Sequence, residues 1–241
     1  MGKTALIIEN CGKAPLLLRT VLVCMESYEE RYGDRMLTLE LLQKMLLNAA
    51  VALKDNVLPL CELDSVAGDG DHGLTIGRMA DAMKAQVEAG TSADMKELLD
   101  DLSMAFMGVN GGSAGPLWGT VFGGFAEGID EGVAELDAAG IHKMLEQAKE
   151  DFMDISKAKQ GDKTMVDALY PALDAGMACE GDAKEIFAAM AEAASKGAEA
   201  TADMVARFGR AKNVGERSLG AKDPGAVSMA LLFTKMAEAC Q

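Results

Sequence analysis

The chain is short of most features that commit a sequence to a specialised class. Its five cysteines (Cys11, Cys24, Cys61, Cys179, Cys240) are scattered, odd in number and without a C-x-x-C pair. That pattern excludes a disulfide framework or a zinc site and makes a reducing cytoplasm the natural setting. Basic residues are outnumbered, 23 against 38 acidic ones, for a net charge of -15. Without a basic face, neither a nucleic-acid backbone nor an anionic membrane is a fitting partner, and a phosphate ligand has to rely on metal and main-chain amides. Long apolar runs are missing too. Ala5 to Ile8 and Leu16 to Met25 are interrupted by Glu9 and Arg19, so neither is a signal sequence or a membrane span. Gly2-Lys3-Thr4 has no upstream glycine loop and is no Walker A motif, and Leu6 stands where a myristoylation signal needs Ser or Thr. Proline is down to 5 residues and aromatics to 5%, while strong helix formers and 17 methionines abound, a balance that favours an all-α protein. Nothing reads as a linker, and 241 residues are ample for one sizeable core.

What the chain does have is glycine and aspartate in close company. The stretch Leu63-Asp-Ser-Val-Ala-Gly-Asp-Gly-Asp-His-Gly-Leu-Thr75 crowds Asp64, Asp69 and Asp71 into a loop with Gly68, Gly70 and Gly73. Carboxylates this close repel unless a cation or hydrogen bonds compensate, and the glycines let an anion approach the main chain. Three aspartates without a full cage suit Mg²⁺, whose remaining ligands are water and substrate phosphate. An EF-hand does not fit, because a register starting at Asp69 puts Leu74 at the glycine position and Ala80 at the final glutamate position. A plain acidic turn between helices is the alternative.

Helical periodicity accounts for most of the rest. Leu42, Leu46, Ala49 and Leu53 share a face from Thr38, a candidate N-cap, to about Val57. The next helix is expected from about Leu74 to Ala89, which puts Gly73 and its neighbours at an N-terminus that favours phosphate. Met95, Leu98, Leu99, Leu102 and Phe106 form a third apolar face. Asn110 to Gly119 is a second glycine-rich loop whose amides suit an anion, with Pro116 in the first turn of the helix that follows. Gly119, Gly123, Gly124 and Gly128 on that helix read as close packing, and Trp118 as core. Ile141 to Phe152 is amphipathic, with His142 on its surface. Ser156 to Asp167 is a polar turn running through Met165 into a helix to Leu173. Asp182 and Glu185 resemble a capping arrangement for an Ala-rich helix to about Ala206. Phe208 to Asp223 reverses the local charge, with Arg207, Arg210, Lys212, Arg217 and Lys222 in or beside it. Arg210 suits phosphate or a base, against the alternative of a solvated loop. Asp223 as N-cap and Pro224 at the first position open a closing helix. About eight core helices result, any strand being expected within residues 1–35, read as a hairpin or extra helix. In an up-and-down arrangement alternate loops fall at one end, so the four loaded loops are expected to meet.

The Asp64 to Gly73 segment resembles the metal loop of the nucleotide-binding L subunit, or L domain, of dihydroxyacetone kinases. Gly111-Gly112-Ser113-Ala114-Gly115-Pro116-Leu117-Trp118-Gly119, Gly161-Asp162-Lys163-Thr164-Met165, and Gly215-Glu216-Arg217-Ser218-Leu219-Gly220 running into Asp223-Pro224-Gly225-Ala226 match the same family in the same order. The likeness covers the chain from about Leu37 onward, leaving residues 1–35 as an N-terminal extension and 36–241 as a helical nucleotide-binding domain. It implies a closed barrel of eight antiparallel helices with the nucleotide at one rim. It also implies that Asp64, Asp69 and Asp71 hold two Mg²⁺ ions bridging the phosphates of ADP or ATP. His72, Gly73, Leu74 and Thr75 then contact the nucleotide, as do Gly111, Gly112, Ser113, Ser156, Met165, Arg210, Asp223, Pro224 and Gly225. A hydroxyl pair expected before Gly111 reads Gly108-Val109 here, a departure from the family pattern that removes two hydroxyl contacts. In the family the triose is held by a histidine on a separate K subunit, a role His72 does not fill. The implied activity is phosphoryl transfer to dihydroxyacetone on that K subunit, with ADP recharged by the phosphohistidine M subunit of a phosphoenolpyruvate relay. Rival expectations are an ATP-dependent kinase subunit for another short ketose or a fatty acyl group, and a non-catalytic ADP-binding regulatory module. A homo-oligomer is a further assembly to expect.

Overall fold

α1 (Leu39–Asp55) starts where Thr38 Oγ1 accepts from the Leu41 amide at 3.2 Å, and it buries the expected Leu42, Leu46, Ala49 and Leu53. The computed structural model describes residues 36–240, so the readings of residues 1–35 lie outside the described residues. Asn56 ends α1 and passes directly into a short helix the periodicity did not anticipate, α2 (Val57–Asp64). The others are α3 (His72–Ala89), α4 (Met95–Met107), α5 (Ala114–Glu127), α6 (Ala138–Ile155), α7 (Val166–Ala178), α8 (Ala183–Ala200) and α9 (Pro224–Ala239). Asp94, Asp137, Asp182 and Asp223 each accept from an amide in the first turn of the following helix, and Asp182 with Glu185 completes a capping box.

The all-α expectation holds, with corrections in detail. Among the described residues a two-residue antiparallel ladder, β1 (Leu37–Thr38) with β2 (Glu135–Leu136), lies outside residues 1–35. Strands this short leave no alternating pattern to read. A second correction concerns α8, which stops at Ala200 instead of about Ala206 and continues as a 3-10 turn, Thr201–Asp203. There the Thr201 hydroxyl donates back to Ala198 O and the Thr201 carbonyl turns to Lys163 Nζ at 2.7 Å. His142 is half-buried rather than on the surface, its Nε2 lying 2.9 Å from Cys179 O.

Leaving α2 aside, each helix packs on its neighbours in the chain, and α9 packs on α1. Phe106 of α4 meets Phe122 and Trp118 of α5 edge to face, at 4.9 and 6.2 Å between centroids. Close approach elsewhere depends on missing side chains. A Cβ on Gly124 or Gly128 would stand 2.5 or 2.4 Å from the backbone of Ala148 or Met144 in α6. In α7, Pro171 withholds the amide that would bond the Asp167 carbonyl, and α8 lays Gly197 over that carbonyl, where a Cβ would come within 1.9 Å. No described helix is long and apolar enough to cross a membrane.

Candidate functional site: an acidic, glycine-rich pocket

Asp64 is the last residue of α2, and its Oδ2 accepts from the amides of Asp71 and His72 at 3.0 and 3.2 Å. It therefore caps α3 from outside. Asp71, which stands at the N-cap position, makes no side-chain cap bond and keeps its carboxylate for other use. Ligand oxygens of Asp64, Asp69 and Asp71 lie within 4.8 Å of one another. A side chain at Gly68 would put its Cβ 2.1 Å from Asp64 Oδ1, so the carboxylate stays in place only because residue 68 has none. This all-oxygen, all-anionic donor set fits a hard divalent cation such as Mg²⁺. Arg210 Nη1 supplies one counter-charge, 2.8 Å from Asp69 Oδ1, with both side chains well exposed.

The second glycine loop reaches α3 through Gly111, which at φ 143° has space only for hydrogen, since a Cβ would meet Thr75 Oγ1 at 2.1 Å. Gly112 follows at φ 53°, and Gly112 and Ser113 line the cavity. The third loop places Met165 at the start of α7, against Gly225 at the start of α9. His72 Nε2 lies 3.0 Å from Ser228 Oγ, and because that hydroxyl donates to Gly225 O, the histidine nitrogen is the donor. Burial holds the His72 pKa below its ordinary value against the charges of Asp64 and Asp71. Its proton is thus engaged in fastening α3 to α9.

These loops surround one cavity of about 550 Å³, within the range of small-molecule sites. Asp64, Asp69, His72, Gly112, Ser113, Ser156, Met165, Arg210, Asp223, Pro224 and Gly225 line it. Asp71, Gly73, Leu74, Thr75 and Gly111 stand outside its wall: Gly73 is pressed against Val57 O, Leu74 is 51% exposed, and Thr75 accepts from Arg78. Sequence reasoning missed the apolar part of the wall, Leu117, Phe152, Ala158 and Phe208, for which an aromatic residue in a basic loop was the one available signal. It also missed the part played by Lys163, a buried residue at φ 60° whose Nζ donates to main-chain carbonyls of the basic loop.

An all-α domain whose loops gather carboxylates, glycines and an arginine at one pocket is the class that fold and site define. The family model described as the DAK2 domain matches residues 66–238, and the chain belongs to that family. Within it the likeness is to the L subunits. Over 184 residues the chain is 34% identical to the PEP-dependent dihydroxyacetone kinase 1, ADP-binding subunit DhaL, of Listeria innocua, covering 76% of this chain and 88% of that protein. The L-erythrulose 1-kinase of Mycolicibacterium smegmatis is 38% identical over 195 residues, which are 76% of this chain but 33% of that enzyme. Among solved structures, the dihydroxyacetone kinase of C. freundii in complex with AMP-PNP and Mg²⁺ matches 85% of this chain and 34% of its own, with a TM-score of 0.64 and 27% identity. The chain thus spans most of the Listeria subunit and about a third of the two longer enzymes.

Proposed function

We propose that residues 36–241 are the nucleotide-binding domain of a dihydroxyacetone kinase, acting as a phosphotransferase with a separate ketose-binding K subunit. The observation that carries this reading is a cluster of three carboxylates within 4.8 Å of one another, two of which, Asp64 and Asp69, line the same cavity as the Gly112–Ser113 turn and Arg210. Asp64, Asp69 and Asp71 would hold two Mg²⁺ ions, whose chemistry is to neutralise the phosphates and the phosphoryl group in transfer. The amides at Gly112 and Ser113 and the guanidinium of Arg210 orient phosphate oxygens. Phe208, Leu117 and Met165 offer the base an apolar seat. Gly73 and Leu74 contribute first-turn amides, while Asp223, Pro224 and Gly225 shape the opposite wall. No side-chain nucleophile takes part, so rate enhancement is positioning and electrostatics. The eight long helices and the contact of α9 with α1 support a closed antiparallel barrel with this site at one rim.

The Listeria relative is named as PEP-dependent and ADP-binding, which supports a reading in which bound ADP is recharged from phosphoenolpyruvate, here through a phosphohistidine subunit. The erythrulose kinase relative, more similar in sequence over its matched part, favours a second reading in which the acceptor is another short ketose. The test has two stages. Calorimetric titration should show ADP binding with Mg²⁺ and none in EDTA, and binding indifferent to EDTA would refute the metal assignment. The protein is then mixed with its K subunit, each ketose in turn, and either ATP or a reconstituted phosphoenolpyruvate relay. Turnover on dihydroxyacetone with the relay is expected, turnover on erythrulose alone would select the second reading, and turnover without any K subunit would sink both.

A further inference from the structure

We propose that Lys163 is a positioning residue: its buried ammonium is the point around which the loop from Thr201 to Asp223 is folded, and through that loop it sets where Arg210 stands at the cavity. The role for Arg210 rests on the nucleotide reading above; the role of Lys163 in the loop does not.

Lys163 is 4% exposed, and its Nζ lies 2.7 Å from Thr201 O, 2.7 Å from Ser218 O, 2.5 Å from Ala221 O and 3.2 Å from Met204 O. An ammonium has three N–H bonds, which suit the three nearer carbonyls, with Met204 sharing. Carbonyls separated by twenty residues of chain are thereby gathered on one cation, much as a loop gathers on a metal ion. The loop has little else to hold it. Among residues 202–222 only Ala206 and Ser218 are buried, so apolar packing contributes almost nothing there. The other ties are polar: Ser218 Oγ donates to Gly215 O and accepts from the Ala206 amide, Arg207 N donates to Asp162 O, Gly220 N to Ala202 O and Asp223 N to Thr201 Oγ1, while Arg207 and Lys222, at the surface, make ion pairs with Asp162 and Glu199. At the outer edge the Arg210–Asp69 pair is too exposed to fix the loop by itself.

The turn that presents Lys163 is rigid in its own right. Asp167 accepts from the Gly161 and Thr164 amides, and Asp162 from the Lys159 amide, which holds Lys163 at a positive φ that a lysine rarely adopts. Burial lowers the Lys163 pKa, and the charges of Asp223, Asp167 and Asp203 oppose that shift.

Trypsin reads the loop directly, because Arg207, Arg210, Lys212 and Arg217 are exposed cleavage sites within it. Lys163→Met keeps the aliphatic length and removes the donors. Cleavage at those four sites is expected to rise at least about tenfold while the helical circular dichroism is kept, and Mg-ADP affinity to fall to that of Arg210→Ala, with the double variant no weaker than Lys163→Met alone. Wild-type cleavage in a folded Lys163→Met chain overturns the proposal, as does an additive loss in the double variant. Should that variant not fold, the wild-type chain decides. Acylation of Lys163 by acetic anhydride and tryptic nicking at the loop should slow by the same factor when Mg-ADP is added, and Lys163 acylation indifferent to Mg-ADP counts against it. A wild-type chain that binds no Mg-ADP sinks the nucleotide reading, while the cleavage result on Lys163→Met still decides the loop.

Discussion

Asp223 serves two opposed ends. Its carboxylate caps α9 by accepting from the Ala226 amide at 2.7 Å, yet burial pushes its pKa from 3.8 up to about 7, with Asp167 adding to the rise and the Ala226 amide and Lys163 opposing it. The folded chain thus binds this proton more tightly than the unfolded one. Its stabilisation is fully present below about pH 4 and is lost as pH rises through about 7. Asn caps a helix as well as Asp does and cannot titrate. In thermal melts between those limits, wild type should therefore lose more stability toward neutral pH than Asp223→Asn, and parallel profiles would contradict the assignment. The three aspartates of the acidic loop should also separate by role. Asp64→Ala removes the outside cap of α3 and should cost about 1 kcal/mol of stability, whereas Asp71→Asn changes a side chain that makes no cap bond and should leave stability nearly unchanged. Both, with Asp69→Asn, should lose at least about tenfold in Mg-ADP affinity, about 1.4 kcal/mol. Arg210→Ala should show a similar loss of affinity with a stability change of roughly 0–1 kcal/mol, since its ion pair is exposed. Melts and calorimetry on the four variants separate capping from ligand binding. The acidic loop and Arg210 were legible because their chemistry sits in side chains at short spacing. Lys163 was not, because its partners are main-chain carbonyls 38 to 58 residues away, which no side chain announces.

At the scale of elements, apolar periodicity and capping residues marked the long helices, as Thr38, Asp182 and Asp223 show. The end of α8 was misread because Ala202, Met204 and Ala206 continue the composition of the helix, whereas the turn is set by a tertiary contact, the Thr201 carbonyl accepting from Lys163. α2 was hidden because its eight residues carry only one buried side chain, Leu60, and so no stripe. The contact between α7 and α8 offers a sharp test. Replacing Gly197 by Ala in an α8 surface would ordinarily gain about 1 kcal/mol from helix propensity. Here the added Cβ faces the Asp167 carbonyl at 1.9 Å, a backbone atom that cannot swing aside. Overpacking costs about 1–3 kcal/mol, and a rigid neighbour belongs at the upper end, so Gly197→Ala should be destabilising by urea denaturation. A neutral or stabilised variant would mean that the two helices separate easily.

For the whole molecule, neighbour-to-neighbour packing with α9 on α1 leaves no described helix with a single partner. Unfolding is therefore expected to be cooperative. Trp118, 1% exposed and the sole tryptophan, reports on the core, and its fluorescence should change at the same temperature as the far-ultraviolet circular dichroism. Separate midpoints would show that part of the helical domain melts alone. Mg-ADP at a hundredfold excess over Kd should raise stability by about 2.7 kcal/mol, an increase that EDTA abolishes. The side chain of Asn48 donates to Lys235 O across 187 residues, at the seam where α9 lies on α1. The side of α1 that meets α9 stays uncovered until α9 has been made, and α9 brings Asp223, Pro224 and Gly225 to the pocket in the same step. Nascent chains stalled before Asp223 should accordingly be held by chaperones and lack a finished pocket, so that burial of that surface and assembly of the site are one event in the life of each molecule.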